Sequence, residues 1–180
     1  NSYGYWYGQT AVGEETSYTD ELVSAVIKFQ VMHDISNTGN VGQQTWSALF
    51  SDSAKSMVSD DEYSQILVNY EAMKVQRAEA TEQMNQLTVK ASSTASKGAM
   101  NLTWSSSSSV LDIDSVQIDG YELWKSTSKS SGYQLLKSTT GKKFKNTSNI
   151  KKGTRYYYKV RAYREIGGQK IYSPWSNVTY

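Results

Sequence analysis

The stretch that most restricts what this chain can become runs from Arg155 to Arg164. Positions 156, 158, 160 and 162 carry Tyr, Tyr, Val and Ala, and Arg155, Lys159, Arg161 and Arg164 lie between or beside them. Side chains alternate faces along a strand, so a period of two makes one face apolar and the other cationic. Such a strand must lay its apolar face on a second layer. Lys151-Lys152-Gly153-Thr154, just before it, reads as a turn, because glycine enters φ > 0 without a Cβ clash.

Charge divides the chain. Residues 1–87 hold four Lys/Arg against twelve Asp/Glu, a formal −8, whereas residues 88–180 hold fifteen against five, a formal +10. The two halves differ enough to be separate modules. The basic residues of the second half alternate with apolar ones, which reads as a solvated sheet face rather than a nucleic-acid surface. The chain has no Cys and one histidine, His33, which excludes a thiolate nucleophile and a multi-histidine metal site. No apolar run reaches membrane-span length, and the first residues lack the basic and apolar regions of a secretion signal.

Residues 1–18 are rich in Gly, Tyr and Thr and read as loop. From Tyr18 a helix is expected, capped by Thr19 or Asp20, with Leu22, Val26 and Phe29 on one face. Asn37 to Gly42 breaks it, and Gln43 to Phe50 forms a short second helix with Trp46 and Leu49 inward. His33 lies at the expected end of the first helix, where a cation suits the dipole.

These residues resemble a known family. Ala25-Val26, Phe29-Gln30, then Gly39-x-Val41-Gly42-x-x-Thr45-Trp46-x-x-Leu49 are similar to the second half of the bacterial peptidoglycan-binding module, a three-helix bundle appended to cell-wall hydrolases and phage lysins. The family's first helix would precede Tyr3, so residues 1–52 are expected to be that module without it. Residues 53–87 are a linker and an amphipathic helix. In that helix Tyr63, Ile66, Tyr70, Met73, Arg77, Ala80, Met84 and Leu87 form a heptad-like seam, which serves either packing on a neighbouring domain or self-association.

Ser92 to Gly98 reads as a flexible turn, and the rest reads as about seven short strands of a sandwich. Pro174 demotes the last strand, Ile171 to Val178, to an edge. Leu102-x-Trp104, Gly120-Tyr121-x-Leu123, Ile150-x-x-Gly153-x-x-Tyr156-x-Tyr158-x-Val160-x-Ala162 and Ser173-x-x-Ser176 resemble a fibronectin type III domain over residues 88–180. The resemblance implies a core of Leu102, Trp104, Tyr121, Tyr158 and Val160, and a corner hydrogen bond from Tyr156. Phe29 is the expected core residue of the helical module. The expected fold class is a multi-domain α and β chain: a small helical module, a connecting amphipathic helix and an all-β, immunoglobulin-like sandwich.

No Walker loop, dinucleotide fingerprint or nucleophile elbow occurs, and Asp60-Asp61-Glu62 lie along one helix start rather than across a cleft. Asp112, Asp114 and Asp119 lack EF-hand spacing and read as loop solvation. No catalytic residue, metal site or cofactor is expected. The candidate binding residues are aromatic: Tyr5, Trp6 and Tyr7 in the first loop, and Trp46. Such rings stack on sugar faces, or else close the small bundle. Trp124 and Trp175 raise the same question on the sandwich.

The resemblances imply a non-enzymatic protein of the bacterial cell envelope, extracellular and at the cell wall, attached to peptidoglycan or cell-wall glycan with the sandwich as spacer. The alternative is a phage virion or surface-assembly subunit whose modules contact further copies or other subunits.

Overall fold

A computed structural model describes residues 20–55 and 58–180, with three helices followed by two antiparallel sheets. The chain divides into two compact units, Asn1–Lys74 and Val75–Tyr180. In the first lie α1 (Asp20–Met32), α2 (Gln43–Leu49) and the start of α3 (Asp60–Asn85).

α1 opens with Asp20 and Glu21 at the positive end of its dipole and buries Phe29, Gln30, Val31 and Met32 in its last turn. The polar member of that set organises the module. Gln30 is 1% exposed; its Nε2 donates to Asn40 O at 2.8 Å and to Thr45 Oγ1 at 3.0 Å, and its Oε1 accepts from Gly39 N–H at 2.9 Å. One amide thus ties α1 to the glycine turn and to α2. Gly39 sits at φ 76°, and a Cβ there would lie 2.9 Å from Val23 Cγ1, so backbone conformation and close approach both require glycine. The Phe-Gln to Gly to Thr-Trp spacing is therefore a buried clamp. Replacing Gln30 by Ala would strand the buried Gly39 N–H, while Asn40 O keeps Gly42 N–H and the Thr45 hydroxyl keeps Asn40 O, at a cost of about 1–3 kcal/mol. Thermal unfolding of the full chain, followed by far-UV circular dichroism, should show the helical transition at lower temperature while the β signal melts unchanged.

Thr45 is buried and takes the inward place on α2. Trp46, about 100° further round the helix, turns outward and is 52% exposed, contrary to the inward position expected from sequence. Leu49 is half-buried. The end of α1 is closed by His33, whose Nδ1–H donates to Phe29 O at 2.9 Å while its Nε2 accepts from Lys55 N–H at 2.9 Å. Lys55 Nζ donates to Met32 O at 2.6 Å, so the cation at this helix end is Lys55 and His33 caps by hydrogen bonding.

The seam of α3 is the less exposed side of the helix. In the first unit Tyr70 is buried and donates to Ile35 O at 3.0 Å, and Lys28 pairs with Asp60 at 2.8 Å while lying over the Tyr63 ring. In the second unit Ala80, Met84 and Leu87 are buried, and Met84 and Leu87 join the sandwich core. Arg77, the charged interruption of the seam, donates from Nε to Ile166 O at 3.2 Å and from Nη2 to Gly167 O at 3.4 Å. The guanidinium thus finds carbonyl acceptors at the Ile166–Gly167 turn.

The sandwich holds β1 (Thr88–Ser96), β2 (Ala99–Ser107), β3 (Gly120–Ser126), β4 (Gln134–Thr139), β5 (Lys143–Asn146), β6 (Tyr157–Ile166) and β7 (Gln169–Tyr172). One sheet has the order β1-β2-β5 and the other β4-β3-β6-β7, all antiparallel. The chain crosses from one sheet to the other after β2, β4 and β5, which makes a two-layer sandwich of the immunoglobulin-like kind. Leu102 and Trp104 of β2 share one core with Tyr121 and Leu123 of β3 and with Tyr158, Val160 and Ala162 of β6. The Trp104 and Tyr121 rings lie 5.9 Å apart. Tyr156 is buried, and its hydroxyl accepts from Lys151 N–H at 3.1 Å across the preceding turn.

Two segments differ from the sequence reading. Ser92 to Ser96 belong to β1 rather than to a flexible turn, and only Lys97 and Gly98 make the turn, with Gly98 at φ 68°. Val89 and Ala91 supply the inward alternation, and the small hydroxyl residues that followed masked it. The final segment is a strand only to Tyr172. Beyond it Pro174 has no N–H for the ladder, and two serines take over: Ser173 Oγ accepts from Ala162 N–H and Ser176 Oγ from Val160 N–H, both at 2.9 Å. The Ser173-x-x-Ser176 motif carries the edge past the proline.

Candidate binding surfaces

Of the four aromatic residues singled out for ligand contact, Tyr5, Trp6 and Tyr7 lie outside the described residues. Trp46 stands on the outer side of α2, where Phe50, 73% exposed, stacks on it with ring centroids 5.4 Å apart and planes 4° from parallel. The i, i+4 spacing puts both rings on one side of the helix. Val41 is also exposed. The outer faces and edges of the stacked pair form an exposed apolar patch against which the C–H face of a sugar can lie. Gln30 and Gly39 hold α2 in place beneath it. Phe50 was not among the sequence candidates, although its spacing from Trp46 was readable.

The second surface is the outer face of the β4-β3-β6-β7 sheet. Register builds it: in the β3–β6 pair, Glu122 lies opposite Arg161, Trp124 opposite Lys159, and Gly120 opposite Tyr163. Glu122, 4% exposed, is its centre. It accepts from Arg161 Nη2 at 2.8 Å, Arg161 Nε at 3.1 Å, Tyr172 Oη at 3.1 Å, Trp124 Nε1 at 3.2 Å and Lys170 Nζ at 3.4 Å. Burial by itself would raise the Glu122 carboxyl; the hydrogen bonds from Arg161, Trp124 and Tyr172 outweigh it and hold the group below its ordinary value.

Around that carboxylate, rings and cations interleave. Arg161 lies 3.4 Å from the Tyr172 ring centroid and 4.5 Å from that of Trp175, and Trp124 meets Trp175 edge to face at 5.8 Å. Lys159 lies 3.9 Å from the Trp175 centroid and 4.4 Å from that of Tyr133. Burial lowers the Lys159 ammonium from its ordinary value, and the neighbouring Arg161 charge pushes the same way. Trp124 and Trp175 thus flank cations.

A groove of about 820 Å³ opens on the same unit, lined by Lys125, Leu135, Ser148, Lys151 and Tyr156 among others. The Lys125 ammonium is engaged there, donating to Asn149 O at 3.0 Å and lying over the Tyr156 ring. Of the loop aspartates, Asp112 caps a short 3₁₀ turn and Asp119 accepts from Glu165 N–H at 2.7 Å. Among the described residues no cluster of three or more potential metal ligands occurs, and no helix is long and apolar enough to cross a membrane.

The arrangement defines a chain with a small helical module and an immunoglobulin-like sandwich, each bearing aromatic surface. Residues 1–49 match the family model of a peptidoglycan binding domain, so the chain carries a module of that family at its N-terminus. No curated protein matches the sequence. Among solved structures, the chain is similar to a fibronectin type III domain from the human KIAA0970 protein, at 23% identity over 69% of this chain and 82% of that one, TM-score 0.40. An Fn3-like protein from Clostridium thermocellum shares 22% identity over 51% of this chain and 85% of that one, TM-score 0.35. Pectate lyase Pel3 from Pectobacterium carotovorum shares 16% identity over 49% of this chain, TM-score 0.37, and the present chain spans about a quarter (26%) of that lyase. The strand order given above carries the fold.

Proposed function

We propose that this is a non-catalytic binding and scaffold protein of the bacterial cell envelope. Its helical module attaches to peptidoglycan or cell-wall glycan outside the cell, and the fibronectin type III sandwich acts as a spacer. The observation that carries the reading is the match of residues 1–49 to the peptidoglycan binding domain, on a module whose buried clamp leaves Trp46 at the surface. Modules of this kind bind without chemistry of their own.

The test is co-sedimentation of the full chain with purified peptidoglycan sacculi. The chain should pellet with sacculi, and Trp46→Ala should weaken binding about tenfold, the effect of losing roughly 1.4 kcal/mol of ring contact. Equal pelleting of the two proteins would remove Trp46 from the site, and no pelleting of either would remove peptidoglycan as the ligand.

A further inference from the structure

The cations on the outer face of the β4-β3-β6-β7 sheet are not equivalent. Arg161 and Lys170 share the Glu122 carboxylate. Lys159 lies two residues along β6 from Arg161, opposite Trp124, and among the described residues it meets no carboxylate. Its ammonium is held at the sides by the Trp175 and Tyr133 rings. Rings attract a cation through their quadrupole but take up none of its three N–H donors in conventional hydrogen bonds. The result is a positioned charge, its donors unspent, at a rim where Trp175 is 38% exposed and Leu135, paired with Trp124, is 50% exposed.

From this we infer a second binding site, independent of the helical module: Lys159, set between Trp175 and Tyr133, receives a carboxylate or phosphate group of a polyhydroxylated anionic polymer, with Trp175 and Leu135 contacting its C–H surfaces. The charge of the polymer matches the formal +10 of residues 88–180, and its alternating C–H and hydroxyl surface matches a rim of ring edges and amine. An anion placed here also relieves the repulsion between Lys159 and Arg161. Nucleic acid fits less well. Trp124 and Trp175 meet at 81° and Lys159 and Arg161 lie over Trp175, so these residues form no parallel stacking platform for bases.

The full chain is titrated, with tryptophan fluorescence as readout, against polygalacturonate, poly(glycerol phosphate), neutral dextran and a single-stranded oligonucleotide. At least one of the first two should bind, with affinity falling as salt is added, and dextran should not. Their comparison tells carboxylate from phosphate. Lys159→Gln should weaken that binding at least about fivefold, about 1 kcal/mol, and Lys159→Arg should largely restore it. Trp46→Ala should leave it unchanged, which separates failure of this site from failure of the peptidoglycan reading. Unaltered affinity in Lys159→Gln, failure of both polyanions, or tighter binding of the oligonucleotide would each overturn the site. A direct readout guards against a folding defect in the variant: in ¹⁵N spectra of the unmutated chain the Trp175 indole resonance should move on polymer addition, and a stationary resonance would refute the proposal.

Discussion

Replacing Trp104 by Ala is expected to lower the melting temperature of the sandwich by at least about 12 °C. Trp104 is 5% exposed and lies in the core shared by both sheets, against the Tyr121 ring. Truncating a buried tryptophan costs about 3–5 kcal/mol, because the lost transfer free energy is joined by a cavity that rigid strands cannot fill. For a domain near 100 residues each kcal/mol moves the midpoint about 4–8 °C. The loss is also a large part of the roughly 5–15 kcal/mol that holds a domain together. Near-UV circular dichroism of the full chain should show the aromatic signal collapsing early. A midpoint within a few degrees of the parent would refute the placement of Trp104 at the core.

The second large effect belongs to Glu122. Glu122→Ala should destabilise the sandwich by about 2–4 kcal/mol, below the full penalty for a broken buried pair because Arg161 and Lys170 reach water from their free sides. The variant strips partners from the Trp124 indole and the Tyr172 hydroxyl as well. Glu122→Gln should lose less, since an amide oxygen still accepts. The pH dependence has a definite sign. The folded-state carboxyl is held below its unfolded value, so its contribution is complete above the ordinary carboxylate range and disappears as pH falls through the depressed folded value. Melting temperature against pH should therefore fall more steeply in acid for the parent chain than for Glu122→Gln. Parallel curves would show that Glu122 is not ionised in the fold.

Much of this architecture can be read from local pattern, because pattern is where the constraint lies. Alternation at 156, 158, 160 and 162 requires a half-buried strand whatever its neighbours, and those residues are the inward row next to and along β6. β1 was hidden for the same reason: Ser92, Ser93 and Thr94 have little hydrophobic contrast, and the strand forms because β2 offers a complete ladder beside it. Gln30 illustrates another limit. Its spacing from Gly39 and Thr45 was visible as a motif, yet a polar residue on a helix gives no sign that it will be buried until the turn folds back upon it.

The candidate surfaces show the same division. The exposure of Trp46 depends on Thr45 taking the inward place, a competition between adjacent positions that composition does not resolve. The individual aromatics and bases of the sandwich were all in view in sequence, without any indication of which of them would meet.

By itself the sequence determined the two modules, the alternating strand, the glycine turn and the absence of thiol or multi-histidine chemistry, since each follows from residue type and spacing along the chain. Only the tertiary structure decided that Arg161 and Lys170 share the Glu122 carboxylate while Lys159, among the described residues, meets rings and no acid. The reason is physical: strand register, set by hydrogen bonds between segments some forty residues apart, determines which charges become neighbours.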